Sequence, residues 1–196
     1  MQCYQNIMVG DDTFAPLGRV SNNGVRYDPV RQPRVLALYR MAFGLLIQLG
    51  RSQRASAAFR ALPYGFDFFD LLQSHRIRYY CDMTRTSGGL FGQTLHHIPN
   101  LGAWNWWEVP QPLRPRPSLN DVNAQITVTG ERFSQGYRFV AGTLLHELAH
   151  VNGASGSDSD QTAERILIPF GLGDIFNQEV FGAATPLSSG RQNVRA

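Results

Sequence analysis

Apolar residues dominate one early stretch of the chain. Residues 35–49 form its most apolar run, interrupted by Arg40 and too short to span a bilayer, so residues 33–49 read as a buried helix. A second helix is predicted over 52–62, ended by Pro63-Tyr64-Gly65. Phe66, Phe68, Phe69, Leu71 and Leu72 then cluster around a third, short helix. The period changes at residues 77–82, which alternate as a strand does, and 86–92 is turn-like before His96-His97. As a strand, 103–109 sets Trp104 and Trp106 on one face and Trp107 on the other, as core or as cleft-lining aromatics. Residues 110–117 hold four prolines and two arginines, an extended polyproline-like connection. Residues 124–129 (AQITVT) alternate cleanly. Val140, Leu144, Leu145, Leu148 and Val151 then return to helical spacing, with Ser134 as the expected N-cap and Asn152-Gly153 as the stop. Residues 1–30 read as irregular, and 183–196 as a mobile tail.

Composition narrows the class. With 196 residues, 43% of them apolar and 17% charged, the chain can bury a proper core as one folded domain. A mainly helical portion is expected over 1–75 and a catalytic portion over 76–196, giving an α+β fold. All 18 basic residues are arginine, a bias expected of a GC-rich genome or of a protein that works inside eukaryotic cells, where lysines accept ubiquitin. The arginines are scattered, and a net charge of +3 carries no nucleic-acid motif, so nucleic acid is not an expected partner. Nor is a membrane span expected. The opening residues, MQCYQNIMVGDD, lack the basic start and apolar core of a secretory signal. Cys3 and Cys81 set no disulfide framework.

The chemistry concentrates in HELAH. His146 and His150 are four residues apart, so on a helix both imidazoles leave one face and can bind one metal ion. Glu147 stands beside them, placed to take a proton from water acidified by that metal. A catalytic zinc needs a third protein ligand and an open position. Glu164 is favoured, within a short helix begun near 157–160 and stopped by Pro169, because a helix holds a ligand more rigidly than a Gly-Ser loop. Asp158, Asp160 and Glu179 are the alternatives. With Glu164 as ligand, Asp160 lies one turn earlier on the same face, suited to orient it. His96 and His97, adjacent in a strand, point to opposite faces and do not readily share an ion.

This pattern resembles the zincin metallopeptidases. The metzincin form needs His or Asp where Gly156 stands, and a methionine turn, yet no methionine follows Met83. The Gly-Thr-x-x-Asp element of aspzincins is also missing. What remains is similar to gluzincins, which implies Zn2+ held by His146, His150 and Glu164, with Glu147 as general base. Ile168 stands where gluzincins usually carry an aspartate four residues after the ligand Glu. The short form is similar to metallopeptidase domains of bacterial secreted effectors and polymorphic toxins. The likeness covers about thirty residues.

It implies a zincin-like fold, with the active-site helix on a small mixed, mostly antiparallel sheet, and a strand along the cleft that pairs with substrate. Residues 124–129 or the Trp segment would supply that edge. It also implies a protein or peptide substrate, secretion or delivery into a target cell by a bacterial secretion system, and a secretion-apparatus or immunity partner. An oxyanion donor is needed as well. No Tyr or His follows His150, which leaves Arg165, Arg191, Arg195, Tyr137, His96, His97, Tyr79 and Tyr80. Two other functions use the same motif. One is hydrolysis of peptidoglycan peptides; the other is a binding module that keeps the zinc fold without turnover, against which an intact Glu147 argues.

Overall fold

The computed structural model describes residues 33–74, 76–82, 91–97, 118–155 and 161–175. The expected irregular N-terminus, the Trp segment, the proline-rich connection and the C-terminal tail lie outside them.

Helix α1 (Pro33–Gly50) starts on a proline, whose fixed φ and missing N–H suit a first helical position. Its buried face carries Val35, Tyr39, Ala42, Phe43, Leu46 and Ile47. Gly50 is required by packing, since a Cβ there would lie 2.5 Å from the Phe68 ring. Helix α2 (Gln53–Arg60) buries Ala55 and Phe59. Helix α3 (Phe68–Leu72) is capped by Asp67, whose side chain accepts from the Phe69 N–H at 2.8 Å. Arg60 grips the same carboxylate, at 2.9 and 2.6 Å.

Strands β1 (Ile77–Asp82) and β2 (Gly92–His97) flank β3 (Asn123–Thr129) in the order β1-β3-β2. β3 runs parallel to β1 and antiparallel to β2, so among the described residues the sheet is mixed, with one pairing of each kind rather than mostly antiparallel. The parallel pairing is open to β1 and β3 because the chain between them is long enough for a crossover. β3 is also central among the described strands, so it is not the cleft edge expected of residues 124–129. Its clean alternation has another cause. Ala124, Ile126 and Val128 meet the apolar core, while Gln125, Thr127 and Thr129 form a second face that is buried as well.

A single 3-10 turn (Leu119–Asp121) leads into β3. Helix α4 (Gly130–Gln135) follows β3, and helix α5 (Tyr137–Val151) follows α4 after one residue, Gly136, with φ 107°. Ser134 therefore lies inside α4, its hydroxyl donating to the Glu131 carbonyl at 2.6 Å, and is not the N-cap of α5. Gly136 takes that place, because its backbone turns where a side chain would be strained.

Helix α5 is buried along nearly its whole length, against α1 on one side and β2 and β3 on another. Helix α6 (Thr162–Arg165) and the turns after it bring Leu167, Phe170, Leu172 and Ile175 into the same core. That core is one continuous cluster from Val35 to Ile175. Edge-on aromatic contacts tie its parts together: Phe43 to Tyr79 at 4.9 Å, and Phe68 to Phe59 and Phe170 at 5.2 and 5.0 Å. Among the described residues no helix is long and apolar enough to cross a membrane.

Candidate functional site

Helix α5 carries HELAH in its last two turns and stops directly after it. Asn152 is the C-cap, and Gly153 follows with φ 99°. The stop is built by a clamp. Asn152 Nδ2 donates to the Phe59 carbonyl at 2.8 Å, and its backbone carbonyl accepts from the Tyr64 N–H at 3.0 Å. A side chain at 153 would press on Pro63 Cβ at 3.0 Å and Tyr64 N at 3.2 Å. The end of α5 is thus fixed by the turn that closes α2.

Within that frame the histidines converge. His146 Nε2 and His150 Nε2 stand 3.0 Å apart, with the rings edge-to-face at 83°. His150 Nδ1 lies 3.1 Å from the Ala154 carbonyl, so the proton belongs on Nδ1 and Nε2 presents its lone pair. Burial, helped by the His150 and Arg132 charges, lowers the pKa of His146 to about 3. It stays a neutral imidazole through the neutral range, the form a metal requires.

The Glu147 carboxylate meets β2. Burial raises its pKa, partly offset by His150 and by the hydroxyl of Thr94, which donates to Oε2 at 2.6 Å. Gly92 makes room for the same carboxylate: a Cβ there would lie 2.5 Å from Oε1 and 2.6 Å from Thr143 Cγ2.

Glu164, on α6, has Oε1 3.9 Å from His146 Nδ1, beyond hydrogen-bond range. Among the described residues no three His, Cys, Asp or Glu side chains gather around a single point. Two converging imidazole nitrogens, with a carboxylate 3.9 Å from the other ring nitrogen of His146, do match the donor types of a catalytic zinc site. Asp158, Asp160, Glu179, Arg191 and Arg195 lie outside the described residues.

The oxyanion-donor candidates fare unequally. Tyr137 is the first residue of α5, nine residues and about 13 Å of helix from His146, and is not brought to the pair. Tyr79 is buried against Phe43 and belongs to the core. Arg165 is exposed on α6. His96 and His97 occupy consecutive positions of β2, opposite Ala124 and Asn123. Tyr80 lies on β1. Cys81 is buried on β1, and Cys3 lies outside the described residues.

The sequence reading missed three residues beside this site. Thr94 and Gly92 approach Glu147 from a strand fifty residues away, which no local spacing announces. Arg132 is buried, its Cζ 3.5 Å from the Phe91 ring centroid and its Nη1 donating to Gln135 at 2.7 Å. The only sequence hint was an arginine just after a strand. Compared with known proteins, the chain matches no family model, no curated protein and no solved structure.

Proposed function

We propose that this chain is a zinc-dependent metallopeptidase of zincin-like, gluzincin type, acting on a protein or peptide substrate. The observation that carries the reading is the convergence of His146 Nε2 and His150 Nε2 to 3.0 Å on a helix that buries Glu147 next to them. His146 and His150 would hold the metal, with Glu164 from α6 as the third ligand. When bound, zinc supplies Lewis acidity that acidifies water and polarises the scissile carbonyl.

The chain's own groups do the rest. His150 is kept in one tautomer by the Ala154 carbonyl. Glu147 takes the proton of the attacking water and returns it to the leaving amine. The substrate backbone would be read by β2, which among the described strands pairs with β3 alone. This takes the cleft-edge role expected of residues 124–129; the Trp segment, the other expected edge, lies outside the described residues.

The test is hydrolysis of a denatured-protein or peptide-library substrate by zinc-loaded protein, wild type beside Glu147→Gln. The expected result is cleavage by the wild type and at least about a hundredfold loss in Glu147→Gln. Equal rates would overturn the mechanism. A library of peptidoglycan stem peptides run in parallel separates protein from cell-wall substrates.

A further inference from the structure

The general base is held less by its own helix than by the strand across from it. Glu147 is fully embedded, and both of its carboxylate oxygens meet β2. Oε2 accepts the Thr94 hydroxyl at 2.6 Å. That hydroxyl also lies 3.3 Å from the Glu147 carbonyl, and its single proton belongs to the shorter contact. Oε1 occupies the space left by the missing side chain of Gly92. Thr94 and Gly92 are two residues apart on one strand and so share a face, the one turned to α5.

We propose that Thr94 is a positioning residue for Glu147, and that position 92 is glycine so that Oε1 stays free to take the proton. The proposal rests on the metallopeptidase reading. It adds that the strand proposed to pair with the substrate backbone also aims the base. A carboxylate has two equivalent oxygens and a flexible stem, so without a partner it would swing. One donor on Oε2 breaks that equivalence and directs Oε1. Because β2 would also pair with the peptide, substrate and base share one rigid reference, and small shifts of the strand move both together.

The test compares Thr94→Val, Thr94→Ser and Gly92→Ala with wild type and Glu147→Gln, following zinc content, kcat and KM on one peptide substrate. Thr94→Val keeps the shape and removes the donor. It should keep its zinc and its KM within about threefold and lose at least about tenfold in kcat. Thr94→Ser restores the hydroxyl and should stay within about threefold of wild type. Gly92→Ala should lower kcat at retained zinc, because its Cβ displaces Oε1.

A Thr94→Val enzyme with wild-type kcat, while Glu147→Gln is inactive, would overturn this proposal and leave the metallopeptidase reading standing. So would equal losses in the Val and Ser variants, which mark a purely structural role. Should Thr94→Val not fold, Thr94→Ala takes its place; if neither folds while Thr94→Ser does, the hydroxyl is a folding element and the proposal fails. No hydrolysis by zinc-loaded wild type overturns the reading itself and this proposal with it.

Discussion

Asn152 and Phe66 exchange two hydrogen bonds across 86 residues of chain: the Phe66 N–H donates to Asn152 Oδ1 at 2.9 Å, and Asn152 Nδ2 donates to the Phe66 carbonyl at 3.2 Å. With the further bond to Phe59, this fully buried amide leaves little of its bonding capacity unused. Asn152→Ala strips partners from buried backbone groups and should cost about 3 kcal/mol in urea unfolding. Because His150 is two residues away, the same variant should also weaken metal binding. A loss below about 1 kcal/mol would show that the clamp is not needed.

Acid should destabilise the metal-free protein through His146. Its folded pKa, about 3, is below the ordinary 6.5, so between those values the unfolded chain binds a proton that the folded chain refuses. The stability associated with His146 is complete above 6.5 and is lost as pH falls towards 3, at a limit of about 1.4 kcal/mol per pH unit. Glu147 acts oppositely, because its folded pKa is raised: its share is complete below 4.5 and is lost as pH rises. Between pH 3 and 4.5 the effect of His146 is unopposed by Glu147. Urea midpoints of the metal-free protein should fall steeply there, and less steeply in His146→Asn. Parallel slopes would contradict a half-buried His146 that stays neutral.

Arg132 should behave as a buried cation held by aromatic faces. Phe91 lies 3.5 Å from its guanidinium carbon and Phe139 5.6 Å, one just before β2 and the other in α5. Arg132→Leu should lose about 2 kcal/mol of stability, the size of a desolvated cation–π contact. Arg132→Lys should recover only part of it, since an ammonium does not stack as a planar guanidinium does. Full rescue by lysine would mean that charge alone matters.

The exposed ion pair between Arg138 and Asp174, 2.8 Å apart, serves as a contrast. Its side chains are 48% and 63% exposed, so water screens the attraction. Asp174→Ala should change stability by less than about 1 kcal/mol. A larger loss would assign the pair a role in holding the C-terminal turns on α5.

Local signals were legible and tertiary ones were not. Strand β1 runs over the residues its alternation predicts, and α1 over the predicted run plus Gly50. The Asn152-Gly153 stop holds because positive φ is written into the glycine. Ser134 misled because a good N-cap residue does not reveal that the chain breaks two residues later, at Gly136. The alternation of β3 does not reveal that its polar face, Gln125, Thr127 and Thr129, is buried as well, and the edge role came from the zincin resemblance, not from the residues. Tyr137 stood in the right helix and at its wrong end. Thr94 and Gly92 carry no signature, since their meaning comes from which helix the strand crosses.

The central claim is that His146 and His150 converge in order to hold a metal. The most direct measurement is zinc content by elemental analysis after reconstitution and dialysis, for wild type, His150→Ala, Glu164→Ala and Glu147→Gln. The account predicts equimolar zinc in wild type and Glu147→Gln, none in His150→Ala, and a marked loss in Glu164→Ala. A wild-type protein that retains no zinc, or a His150→Ala variant that retains it fully, would contradict the account.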